Sequence, residues 1–153
     1  MATLAVVQCG ASKIWKKNRN AGSVPAKNAY VSGYFRNNRA YAERFADRWF
    51  ILSAKYGFLD PGKRICSYNV SFLKPRSRPI SLAKLQAQVN ARRLSRYRKV
   101  IVLGGSLYAD KVEEAFGGTK CRVYRPFDGL KGIGYIQHAV SRALRFGKPL
   151  PVK

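Results

Sequence analysis

Trp49-Phe50-Ile51-Leu52-Ser53-Ala54-Lys55-Tyr56-Gly57-Phe58-Leu59-Asp60-Pro61 is the stretch on which the fold turns. Four large apolar residues in a row predict a buried strand from Trp49 to Leu52. The residues that follow combine a hydroxyl, a cation, two aromatics, a glycine and a carboxylate, which reads as a loop. Asp60-Pro61-Gly62 then predicts a turn. In an open α/β sheet, ligands bind in the crevice beyond such strand ends.

Three further apolar runs predict strands: Leu4 to Gln8, Val100 to Leu103, and Cys121 to Tyr124. Pro25 opens a helical stretch in which Ala29, Tyr30, Gly33 and Tyr34 recur, and Tyr41 and Phe45 continue onto a second short helix. Tyr30 and Tyr34 are within reach of the site rim. Ser81 is placed to cap a helix running to about Tyr97, with Leu82, Leu85, Val89 and Leu94 inward. Another helix follows Tyr108 and stops at Gly117-Gly118, and the last spans about Gly132 to Phe146. Short apolar strands alternating with helices imply an α/β fold. The expected architecture is a single-domain three-layer sandwich over residues 1–147. Its four-stranded, mostly parallel sheet has the order 2-1-3-4, and residues 148–153 form a loose tail. Right-handed crossovers would bring four loops to one rim: Cys9 to Lys13, Ser53 to Asp60, Gly104 to Tyr108, and Arg125 to Leu130.

Charge narrows the function. Of 153 residues, 30 are Lys or Arg and 7 are Asp or Glu, a formal net charge of +23. Self-repulsion of that size points to a polyanion as partner, DNA first and RNA second. Eleven cations and no acid lie between Asp60 and Asp110. Lys63, Arg64, Lys74, Arg76 and Arg78 from this tract, with Lys16, Lys17 and Arg19 from an arm at Trp15 to Ser23, are candidate contacts to a nucleic-acid backbone. No apolar run is long enough to span a membrane, and basic and apolar residues do not combine into one long amphipathic helix. Three scattered cysteines and one histidine, His138, argue against a disulfide framework and a Cys/His metal site. A cytoplasmic, monomeric protein without metal or cofactor is the expectation.

The rim loops supply the candidate site. Cys9, Gly10, Ser12, Lys13, Ser53, Lys55, Tyr56, Gly57, Phe58, Tyr68, Gly104, Gly105, Ser106 and Tyr108 are candidate substrate contacts. In this set Tyr56, Phe58 and Tyr68 offer stacking surfaces, and Ser12, Lys13, Ser53 and Lys55 could hold phosphate. Gly104-Gly105-Ser106 at a helix start could offer backbone N–H groups to an anion. Carboxylates are too few for two-metal chemistry. Breaking an N-glycosidic bond needs less: one carboxylate, donors for the leaving base and aromatics to hold it out of the stack. Asp60 or Asp128 is the candidate acid group, and Asn69 could read a base edge or position water.

Gln8-Cys9-Gly10-x-x-Lys13, Leu52 to Leu59 with Tyr68-Asn69 downstream, and Leu103-Gly104-Gly105-x-x-Tyr108 resemble a family of small bacterial and phage proteins. That family is similar to the YaaA-type DNA-binding proteins, which carry a comparable Leu-Ser-x-x-Tyr-Gly-Leu block and a later Pro-Tyr. The resemblance covers roughly residues 4–135. The related pattern commonly reads Tyr-Asp where this chain has Tyr68-Asn69, which moves the acid role to Asp60 or Asp128. The order 2-1-3-4 is also that of uracil-DNA-glycosylase-like folds, and some phage-defence glycosylases look similar in size and plan. The resemblance implies a DNA glycosylase that flips a base, of the kind used in DNA repair or phage defence. The alternatives are a non-catalytic nucleic-acid-binding protein and a nucleotide-processing enzyme.

Overall fold

The computed structural model describes residues 2–151. Its elements are β1 (Thr3–Gln8), α1 (Ile14–Lys17), β2 (Val24–Pro25), α2 (Ala26–Ala29), α3 (Gly33–Phe45), β3 (Arg48–Ser53), β4 (Gly57–Leu59), β5 (Arg64–Ile65), α4 (Leu82–Ala91), β6 (Lys99–Leu103), α5 (Ser106–Ala115), β7 (Arg122–Tyr124) and α6 (Ile133–Phe146). Short 3-10 turns occupy Pro75–Ser77 and Leu94–Arg96.

The main sheet has five strands in the order β4-β3-β1-β6-β7. β1 lies between β3 and β6, parallel to both, and β7 adds in parallel beside β6. These are the four expected strands in the expected order. Buried on both faces, they need apolar residues at nearly every position, which is why their sequences do not alternate with polar ones. Ala5, Val7, Ile51, Ile101 and Leu103 pack toward α3 and α6. Leu4, Val6, Phe50, Leu52, Val100 and Val102 pack toward α4 and α5. Each such Leu, Ile or Phe contributes about 1.5–3 kcal/mol through burial.

The fifth strand corrects the reading of the opening stretch. The chain after Ser53 turns within three residues and runs back as β4, antiparallel to β3, with Ser53 opposite Gly57 and Ile51 opposite Leu59. Gly57 takes φ +72, a left-handed value that only glycine adopts freely. Phe58 and Leu59 then enter the core instead of a loop. Edge strands present unpaired backbone groups. Here α4 satisfies them: Gln88 accepts from the Phe58 N–H at 2.8 Å and donates to the Tyr56 carbonyl at 2.9 Å. Arg92 donates to the Phe58 carbonyl.

Other boundaries also differ from expectation. The two helices expected after Pro25 are one short turn, α2, and a 13-residue helix, α3, capped by Ser32 through the Phe35 N–H. α4 stops at Ala91 because Arg93 adopts φ 53, and Leu82 is exposed rather than inward. The basic arm from Trp15 to Ser23 is anchored: Trp15 is buried and its indole N–H donates to the Gly22 carbonyl at 2.6 Å. The excursion after Asp60 contains β5, which pairs antiparallel with β2. The tail expected to be loose is tied at Leu150, whose N–H donates to the Tyr41 hydroxyl at 2.8 Å. The last two residues of that expected tail, 152–153, lie outside the described residues, as does residue 1.

Replacing Gly57 with alanine should test the hairpin. A Cβ there would collide with Gln88 Oε1 and stand 2.7 Å from Ile80 Cδ1, on a backbone already strained for any L side chain. We expect Gly57→Ala to cost about 2–4 kcal/mol in urea unfolding. Gly33→Ala, with nothing within 4 Å of the new Cβ, should change stability little.

Candidate functional site

The C-terminal ends of β1 and β3 and the first turn of α5 meet at one rim. Cys9 follows β1 and Ser53 ends β3, while Tyr108 stands in the first turn of α5. Two further chains bring in aromatics. Lys13 bridges Tyr30, and the Val31 N–H donates to the Ser12 carbonyl, so the segment after α2 is held against the loop after β1. Tyr68 comes from the irregular segment after β5.

Tyr68 is the hub of this cluster. Its hydroxyl lies 2.5 Å from that of Tyr30, either being able to donate, and accepts from the Ser53 hydroxyl at 3.2 Å. Its ring meets that of Tyr56 edge-on at 5.5 Å between centroids. Cys9 Sγ and the Tyr108 hydroxyl are 3.6 Å apart. Tyr108 in turn packs edge-on against Phe72. Over this floor stand three ammonium groups. Lys13 Nζ is 4.7 Å from the centre of the Tyr68 ring, Lys55 Nζ is 5.1 Å from that of Tyr56 and 5.8 Å from Tyr68, and Lys63 Nζ is 5.8 Å from Tyr56. A cation over an aromatic face is attracted by the ring's negative face. Among the described residues none of these three lysines forms an ion pair with a carboxylate.

Burial fixes the protonation of the floor. It raises the Cys9 thiol above its usual range, so Cys9 is no ready thiolate nucleophile at neutral pH. It raises Tyr30 and Tyr108 as well, and pushes Tyr68 up to about 12, with the nearby Cys9 as the second cause. The site at neutral pH is therefore a neutral hydroxyl and thiol floor under uncompensated cations.

Several expected roles do not survive this geometry. Ser53 is fully buried, and its oxygen accepts from the Lys55 and Tyr56 N–H groups, both at 3.2 Å, while its proton goes to Tyr68. It has no capacity left for a phosphate. Phe58 is fully buried in the core and offers no stacking surface, and Gly57 turns the hairpin. The Gly105 N–H already donates to Gln8 Oε1 at 2.9 Å, and Gly104 leaves room for the Gln8 side chain, so this amide is not free for an anion. Gly10 packs against Ser32 and Tyr30, while Ser12 and Ser106 are exposed.

The carboxylates are placed elsewhere. β4 runs back along β3, so Asp60 emerges toward the far end of the sheet. There it pairs with Arg48 at 2.7 Å and accepts from the Gly62 N–H at 2.9 Å. Asp128 lies 2.9 Å from Arg125 Nε, an ion pair without hydrogen-bond geometry, and Asp110 and Glu113 hold the other side of that guanidinium. Neither acid is brought together with the tyrosines. Asn69 is exposed beside Tyr68.

Among the backbone candidates, Arg64 donates to the Ser23 carbonyl and hydroxyl and so braces β5. Lys16, Lys17, Arg19, Lys74, Arg76 and Arg78 are exposed. A roomier cavity of about 610 Å³ lies between α6 and residues 148–151, lined by His138, Arg142 and Phe146, away from the rim. Among the described residues no group of three His, Cys, Asp or Glu could hold a metal ion, and no helix is long and apolar enough to cross a membrane.

Sequence reasoning named most of the cluster but missed Gln8 and Gln88, whose amides organise the two loops. Gln8 opens the motif Gln8-Cys9-Gly10-x-x-Lys13 but nothing there shows its role, and nothing marks Gln88, because each acts on backbone brought close only by folding.

A small α/β protein with a tyrosine-floored, lysine-topped rim is what these observations define. The chain belongs to the family described as "Family of unknown function (DUF6884)", which it matches over residues 4–140, a span that includes every rim residue. It is 33% identical over 145 residues to "Uncharacterized protein YfjM" of Bacillus subtilis (strain 168), a similarity covering 94% of this chain and 96% of that one. No solved structure gives a significant match.

The half-buried Tyr68 phenol predicts an alkaline limit. An ordinary phenol titrates near 10, and Tyr68 in the fold near 12, so the fold favours its neutral form. That contribution is complete below about pH 10 and is lost as pH rises toward 12. Stability measured by urea unfolding should therefore fall across this window. Tyr68→Phe should shrink the fall, and should cost about 1–3 kcal/mol at neutral pH by removing the hydroxyl that accepts from Ser53 and bonds Tyr30. An unchanged alkaline fall in the variant would remove Tyr68 from this role.

Proposed function

We propose that the protein binds nucleic acid on this rim. The single observation that carries the proposal is the trio Lys13, Lys55 and Lys63 held over Tyr56 and Tyr68 without a counter-carboxylate. Three ammonium groups gathered on one surface repel each other, and a phosphate backbone relieves that cost while releasing counterions. The rest of the chain, at +23, adds attraction at longer range. The resemblance to YaaA-type DNA-binding proteins supports DNA over RNA.

Base excision is the more demanding alternative. The strand order β3-β1-β6-β7 is that of uracil-DNA-glycosylase-like folds, and the buried Tyr30 and half-buried Tyr68 and Tyr108 hydroxyls supply donors that could stabilise a departing base. Neither Asp60 nor Asp128 serves this version, because each is paired with an arginine, Arg48 and Arg125 respectively. A flipped base would also have to displace Lys13 or Lys55 from the Tyr68 face before stacking on it.

Fluorescence anisotropy with a labelled DNA oligonucleotide tests the proposal. Affinity should fall steeply with salt, and Lys13→Ala with Lys55→Ala should lower both the affinity and the salt slope, the latter by about 1–2. Salt-independent or undetectable binding would contradict it. Incubation with modified DNA followed by alkali separates the alternatives: strand breaks that vanish in Tyr68→Phe would establish excision, and intact DNA would leave binding alone.

A further inference from the structure

A second cationic feature lies beside the rim. A cavity of about 290 Å³ opens between the β3–β4 turn and the start of α4, lined by Lys55, Arg78, Pro79, Ile80, Ser81 and Lys84. Three of its six lining residues are cations and none is acidic. Among the described residues, none of the three forms an ion pair with a carboxylate.

The walls of this cavity are fixed by backbone contacts. The Ile80 N–H donates to the Ala54 carbonyl at 2.7 Å, tying the segment before α4 to the turn after β3. The Ser77 hydroxyl closes the preceding loop, accepting from the Ser71 N–H and lying within hydrogen-bond reach of the Ser71 and Lys74 carbonyls. Arg78 is thereby held at φ 57, a left-handed conformation that residues other than glycine seldom keep. Lys55 belongs to both places: it lines the cavity and its ammonium faces the Tyr56 and Tyr68 rings.

We propose that this cavity is a phosphate subsite that seats one phosphodiester of the nucleic acid bound on the tyrosine–lysine rim. It rests on the nucleic-acid reading above and adds where one backbone phosphate sits. The chemistry is that of a tetrahedral dianion or monoanion among cations. Arg78 presents a planar fork suited to two phosphate oxygens, and Lys55 and Lys84 add point charges. Because Lys55 is shared, a strand whose phosphate lies here has its next unit over Tyr56 and Tyr68. An inorganic phosphate or a free mononucleotide offers the same oxygens, so the experiment must separate them from the backbone.

The test compares two charge-matched double variants by anisotropy with the same oligonucleotide. Arg78→Ala/Lys84→Ala should weaken binding at least tenfold at about 100 mM salt and lower the salt slope by about 1. Arg142→Ala/Arg145→Ala on α6 removes equal charge far from the cavity and should change affinity less than about threefold. Equal losses in the two variants would overturn the subsite while leaving rim binding intact. No binding by the wild-type protein would instead sink the function on which it rests. Lys84→Gln and the backbone amide spectrum of the wild type guard against a folding defect. Inorganic phosphate at millimolar concentration should shift the amides of Lys55, Ser81 and Lys84, and unshifted amides there would count against the site. Competition by inorganic phosphate or a mononucleotide as strong as that of the oligonucleotide would show a free-anion site and overturn the backbone assignment.

Discussion

The rim depends on the saturation of one buried hydroxyl. Ser53 stands at the end of β3, fully out of water, where an unpaired hydroxyl would cost free energy. It avoids that by accepting from the Lys55 and Tyr56 N–H groups, which closes the turn, and by donating to Tyr68, which draws in the segment after β5. One side chain thus couples the reversal of the chain to the placement of the aromatic hub. Everything the site offers follows from that coupling. The turn aims Lys55 over the aromatics, and Tyr68 provides the face on which Lys13 rests.

The same reversal separates the acids from the cations. Had the segment after Ser53 been a simple loop, Asp60 would have shared the rim with Lys13 and Lys55 and neutralised part of it. As β4, the segment carries Asp60 back to Arg48. Asp110, Glu113 and Asp128 gather on Arg125, and Glu43 pairs with Arg39. Exposed pairs of this kind contribute little stability. Their consequence is spatial: each of these carboxylates is paired with an arginine and none with Lys13, Lys55 or Lys63, although Asp60 and Lys63 line one pocket beside Arg48.

The parallel core was legible because period and composition agree in it. Val6 lies opposite both Phe50 and Val102, and a residue buried on such a sheet has little choice but to be apolar. β4 was hidden because Tyr56-Gly57-Phe58 carries loop-forming residues for a different reason. The glycine answers a positive φ inside a hairpin, and the Ser53 hydroxyl serves the turn itself. Cys9, Lys13, Lys55 and Tyr108 were legible as rim candidates because they follow strand ends, and Tyr68 because it stands in a long irregular excursion. Their roles were not, since whether Ser53 or Gly105 is free for a ligand depends on partners such as Tyr68 and Gln8 that are distant in sequence.

Amide chemical-shift mapping tests the central claim most directly. On titration with a short DNA duplex or single strand, the account predicts shifts concentrated at Lys13, Lys55, Tyr56, Tyr68 and Lys84. Shifts confined to α6 and the cavity around His138, or spread evenly over every exposed Lys and Arg, would contradict it.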